Sequence, residues 1–169
     1  IDKEIAITDQ MLQDEFERQF GQRRIVRLIQ VNSMRKMELV EKLLAEGRDF
    51  IEVAMEYSED ELSLRSEALA GPFTLADDVY DPELVRRCFE LKNIGEVSSS
   101  FMITTGSSQH WYIIRLEQIA PQKNGSLAEN REQLEKIISQ KEINRRIVSL
   151  QEQLQAKARV IIMDNRVRN

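Results

Sequence analysis

The chain has 169 residues, 41% of them hydrophobic and 31% charged, with a net charge of −5 and a pI near 5.1. This is the composition of one folded domain with an extension rather than of a disordered chain, and its acidity argues against nucleic acid as a partner. A single cysteine, Cys88, and a single histidine, His110, exclude an internal disulfide and leave too few ligands for a zinc centre, so neither a metal nor a cofactor is expected.

Ile1 to Ile7 alternate apolar and charged residues and read as a short strand or an extended lead-in. Thr8 is a good helix N-cap, and Met11, Leu12, Phe16 and Phe20 follow at helical spacing. Gly21 is expected to stop that helix, of about 9–20, in the left-handed conformation. Ile25 to Val31 is β-branched and apolar, a strand covered on both faces. A helix of about 34–46 follows, with Met37, Val40, Leu43 and Leu44 inward and Gly47 just past its end. Asp49 caps a further helix whose apolar face is Phe50, Val53, Ala54 and Tyr57, ending near Ser58 in an acidic turn.

Gly71-Pro72-Phe73 marks a short extended element. Asp81-Pro82 is a capping acid before a first-turn proline, and Leu84, Val85, Cys88, Phe89 and Leu91 carry that helix to a break at Gly95. Val97–Ile103 and Trp111–Glu117 read as an antiparallel pair joined by a polar turn. From Leu127 to about Ala158 neither glycine nor proline occurs, and Leu134, Ile137, Ile138, Ile143, Ile147, Leu150 and Leu154 form the stripe of one long helix. That stripe is expected to pack on the helix of residues 9–20, and Arg159–Met163 reads as a final strand. The order β-α-α-β-α-β-β suits an α+β domain, a small antiparallel sheet covered by helices.

Five local matches in register give a resemblance to the parvulin-type peptidyl-prolyl isomerases (rotamases). The first strand resembles theirs, and Phe50 through Asp60 resembles the signature "FaelAkeYSeD". Gly71-Pro72-Phe73 matches "GxF". Pro82-Glu83-Leu84 with Cys88-Phe89-Glu90-Leu91 and Gly95-Glu96-Val97-Ser98 is similar to "PEFedAaFsLkpGEiS", and Trp111 to Glu117 looks like "gyHIIkLe". The flanking helical ends resemble those of SurA-like and PrsA-like foldases. The resemblance implies a parvulin-like domain over 23–119, an N-terminal helical flank over 1–22, and a C-terminal flank over 120–169 whose long helix and terminal strand pack on the first.

In the family an acid or cysteine lies beside two hydrogen-bonded histidines beneath a proline pocket. The resemblance places the acid on Asp60 and the two histidines on Leu28 and Tyr112, while the family's "GGDLG" becomes Glu67-Ala68-Leu69-Ala70-Gly71. It makes Asp60 and Tyr112 the candidate catalytic residues, with the Tyr112 hydroxyl expected to donate to the Asp60 carboxylate. Leu28, Ala70, Tyr80, Leu84 and Met102 are the expected peptide-binding lining. Asp60 also has a plainer reading, a cap on the next short helix. His110, two residues before Tyr112, shares its strand face and is a displaced candidate; the plainer reading is a strand-end histidine.

The implied function is a foldase or chaperone domain that binds extended or proline-containing polypeptide with weak or no isomerase activity. The alternatives are an active isomerase and a structural or dimerisation domain built on the long helix. Unfolded polypeptide clients, an extracytoplasmic location and a homodimer are the corresponding expectations. No apolar run approaches the length of a membrane span. Opening at Ile1, the chain is expected to be a fragment, and a removed signal peptide would leave no trace in it.

Overall fold

A computed structural model describes residues 6–167, with side chains described to residue 157; the expected lead-in over Ile1–Ile7 lies largely outside the described residues. The chain divides into two compact units, one built from its two ends (to Phe16 and from Gly125) and one spanning Glu17–Asn124.

The central unit is built on a four-stranded antiparallel sheet of β1 (Arg23–Val31), β2 (Leu69–Phe73), β3 (Phe101–Thr105) and β4 (Ser108–Ala120), in the order β2-β1-β4-β3. α2 (Met34–Ala45), α3 (Phe50–Tyr57), the single turn α4 (Glu61–Leu64) and α5 (Pro82–Glu90) complete it. This is the α+β architecture that the alternation of patterns implied.

Local chemistry sets the helix starts. Ser33 accepts the Lys36 N–H, Asp49 the N–H groups of Ile51 and Glu52, and Asp81 that of Glu83 beside a first-turn proline. Each cap supplies an acceptor to backbone donors that no helical carbonyl reaches. Gly21 differs from expectation: it lacks a positive φ. Glycine is needed there for room, since a Cβ would lie 2.4 Å from the Glu17 carbonyl oxygen. Gly71 does hold a positive φ (107°), and a Cβ on it would meet the Arg24 carbonyl at 2.8 Å as β2 runs against β1.

The sheet separates two cores. Ile29, Val31, Ile113 and Trp111 pack with Met37 and Val40 of α2 and Phe50, Val53 and Ala54 of α3. Val26, Leu28, Phe101, Ile103, Ile114 and Leu116 pack on the other face against Leu84, Val85 and Cys88 of α5. Alternation along each strand produces this division.

The hairpin differs from the sequence reading. Val97 makes only an isolated bridge to Arg115, and the β3–β4 turn falls on Gly106-Ser107. The Ser98 N–H still donates to the Ile114 carbonyl (2.9 Å) and Glu96 accepts from Leu116, so the segment tracks β4 without forming a regular ladder.

In the end unit, α1 (Asp9–Phe20) contributes its first turns and α6 (Leu127–Val167) its 41 residues. Leu12, Phe16, Leu134 and Ile138 are buried, and Lys141 Nζ donates to buried Glu15 at 2.8 Å. The rest of the expected stripe is not covered: Ile143, Ile147, Leu150 and Leu154 are 43–56% exposed. At ~1.5 Å per residue, α1 is roughly 18 Å long and α6 roughly 60 Å, so the short helix cannot cover the long one. The expected strand at Arg159–Met163 is helix instead. β-branched residues lower helix propensity by only a few tenths of a kcal/mol each, which does not break a helix already propagating through them.

Candidate functional site

Most of the residues that the resemblance singles out lie on the α5 face of the sheet. Leu28 lies on β1 and is buried, as is Leu84 on α5. Tyr80, on the loop entering α5, is 39% exposed and packs edge-on against Phe73, with ring centroids 4.6 Å apart. Ala70 and Tyr112 are partly buried against the same core. Thus Leu28, Ala70, Tyr80, Leu84 and Tyr112 share one face, where Tyr80, Ala70 and Tyr112 supply the accessible surface over Leu28 and Leu84.

Met102 does not join them. Its strand neighbours Phe101 and Ile103 point into the α5 core, so Met102, opposite Trp111, points to the other face. Phe101 takes the place expected of it, stacked on Tyr112 at 5.7 Å with the Arg87 guanidinium 5.2 Å over its ring. Whether residue 101 or 102 faces α5 depends on the β3–β4 register, which local pattern leaves open.

The polar groups are arranged around a residue that sequence reasoning passed over. Gln30 lies opposite Tyr112 in the β1–β4 register. Its Oε1 accepts from the Tyr112 hydroxyl at 3.3 Å, and its Nε2 lies 3.0 Å from His110 Nδ1. Its backbone N–H donates to Ser58 Oγ (3.1 Å) and its carbonyl accepts from the Glu59 N–H (2.7 Å), which ties the acidic turn to the sheet. A glutamine within an apolar strand was a visible signal. Only the register shows what it meets.

Asp60 is the N-cap of α4, its Oδ2 accepting from the Ser63 N–H at 2.9 Å. The Tyr112 hydroxyl donates to Gln30 Oε1, not to the Asp60 carboxylate expected to accept it. Burial, with the carboxylates of Asp60 and Asp81 nearby, pushes the Tyr112 phenol above its ordinary value, so it stays protonated. The turn before β2 holds Glu67 and Ala68 at positive φ (53° and 66°), a conformation that non-glycine residues adopt at a cost of about 1–2 kcal/mol each. Hydrogen bonds from Ala68 N–H to Ser63 and from Leu28 N–H to the Ala68 carbonyl hold it.

Cys88 is buried beneath this face, and burial pushes its thiol up to about 12. It is a packing residue, not a nucleophile.

No protein-family model and no curated protein matches the sequence. The structure is more informative: its fold is parvulin-like. Similar solved structures are the foldase protein PrsA of Streptococcus pneumoniae (TM-score 0.60, 20% identity, covering 79% of this chain and 48% of that one) and the peptidylprolyl isomerase PrsA of Bacillus anthracis (0.58, 22%, 79% and 56%). PrsA of Bacillus cereus is also similar (0.58, 21%, 82% and 48%). The chain spans about half the length of these proteins, and identities this low establish the fold alone. Among the described residues no helix is long and apolar enough to cross a membrane.

Proposed function

We propose that this chain is the parvulin-like part of an extracytoplasmic foldase, one that holds extended or proline-containing polypeptide on the α5 face with weak or no isomerase activity. The observation that carries this reading is the pair Leu28 and Tyr112. At the positions where the resemblance expects two histidines, the sheet carries a buried aliphatic side chain and a phenol bonded to Gln30. Rotation about a peptide bond faces a barrier of roughly 18–20 kcal/mol, and the site must loosen amide resonance in the transition state, beyond binding the ground state. Aromatic rings and buried leucines support binding; the replaced histidines remove the polar hub placed beneath the proline.

Protease-coupled isomerisation on a panel of X-Pro peptides tests it, run beside an intact parvulin and paired with fluorescence-polarisation binding of the same peptides. Binding with a catalytic rate far below the reference is the expected result. A matching rate would favour the active-isomerase reading, in which an apolar site and desolvation suffice. The exposed stripe Ile143, Ile147, Leu150 and Leu154 supports a second role for α6 in self-association. A monomer in sedimentation at high concentration would remove it.

A further inference from the structure

Gln30 uses both ends of its amide. Its Nε2 lies 3.0 Å from His110 Nδ1, where the amide N–H can donate to the ring nitrogen, and its Oε1 accepts from the Tyr112 hydroxyl at 3.3 Å. The backbone of Gln30 is held on both sides, by Ser58 Oγ and the Glu59 N–H, so the amide is delivered to a defined place opposite Tyr112. A phenol oxygen has one hydrogen to give and lone pairs to accept with. Once that hydrogen is committed to Gln30, Tyr112 presents only acceptor capacity to a neighbouring molecule.

We propose that Gln30 is a positioning residue that makes the Tyr112 oxygen an acceptor for a backbone N–H of bound polypeptide, so that this point of the site favours an ordinary peptide unit over a prolyl one. Proline has no N–H to offer. The inference rests on the polypeptide-binding reading above and adds the hydrogen-bond polarity of the site. It also accounts for a parvulin fold that holds chains without turning X-Pro bonds: the polar group at its centre is oriented to grip N–H, not to donate to an imide.

The test uses a fluorescein-labelled apolar peptide and a set of derivatives, each N-methylated at one residue. For the native chain, one derivative should bind about threefold to tenfold more weakly than the parent, the worth of one hydrogen bond. Tyr112→Phe should bind that derivative and the parent equally, which separates the lost hydrogen bond from any conformational effect of the methyl group. Gln30→Leu should also lose the discrimination. Gln30→Glu should keep it, because its carboxylate still accepts from the tyrosine hydroxyl; a merely space-filling Gln30 would not sort leucine from glutamate in this way.

Equal binding of all derivatives by the native chain would overturn the proposal while leaving polypeptide binding intact. No binding of the parent peptide would overturn both. Nitrogen-15 NMR of His110 gives a readout free of peptide and of any variant's folding: the Nε2–H tautomer is expected, and the Nδ1–H tautomer would reverse the Gln30 amide and overturn the assignment.

Discussion

Leu28 and Ile29 are adjacent on β1 and both are buried, yet they face regions built on different terms. Below Ile29 two helices, α2 and α3, close the sheet with Met37, Val40, Val53 and Ala54 fully buried, and the tyrosine and tryptophan there are packed at the margin. Below Leu28 a single nine-residue helix does the covering, and Tyr80 and Tyr112 are left in part exposed beside a hydrogen-bonded Gln30 and His110. The same strands thus carry one face closed by two helices and another closed by one, with the oriented polar groups on the second. The proposed polypeptide site lies on the second, where apolar surface and oriented polar groups occur together.

The comparison breaks most visibly in paired truncations. Met37→Ala and Leu84→Ala should each cost about 2–5 kcal/mol in chemical unfolding, since both empty a buried position. Only Leu84→Ala should also weaken peptide binding, measured under conditions where both variants remain folded. Equal binding losses would mean that the two faces are not functionally distinct.

A smaller effect comes from Cys88, under the α5 face. Its thiol is pushed from an ordinary value of 9 up to about 12 by burial, partly opposed by Arg24. The folded chain therefore keeps a proton that the unfolded chain releases, and its contribution is intact below pH 9 and lost as pH rises toward 12. Between pH 8 and 10.5 the native protein should lose about 2 kcal/mol that Cys88→Ala does not lose. Superimposable pH profiles would show that the thiol is wetter than its burial implies.

Asp60 sharpens the contrast at the level of one side chain. As the α4 cap it should cost about 1 kcal/mol when changed to alanine, with little change in peptide affinity. Abolition of a measurable isomerase rate by Asp60→Asn, with unchanged melting, would make it a catalytic group instead. The smallest effect is expected for Leu150→Ala, exposed on α6, at within about 0.5 kcal/mol. A large loss would reveal a partner packed on that stripe.

Local signals were legible wherever one residue decides its neighbours' hydrogen bonds. Asp49 and Asp81 start their helices because a carboxylate satisfies free backbone donors, whatever the rest of the chain does. The β-branched, apolar run Ile25–Val31 read as a strand, and Asp60 was readable as a cap. These follow from sequence alone. Register did not: whether Met102 or Phe101 faces α5 depends on which residue of β4 each opposes, and one step of slip reverses both.

The same holds for Gln30, whose polarity was plain in the sequence but whose partners, Tyr112 and His110, lie 82 and 80 residues away. Coverage is likewise a tertiary property. The stripe on α6 is periodic throughout, but periodicity states only that a face is apolar; the length of α1 and the placement of Leu12 and Phe16 decide how much of it is buried. The sequence by itself determined the helix starts, the first strand and most of the apolar faces, because these depend on contacts within a few residues; the expected strand at Arg159–Met163 was not among them. Only the tertiary structure decided which polar groups meet and which faces stay open, because those depend on strand pairing and helix placement across the chain.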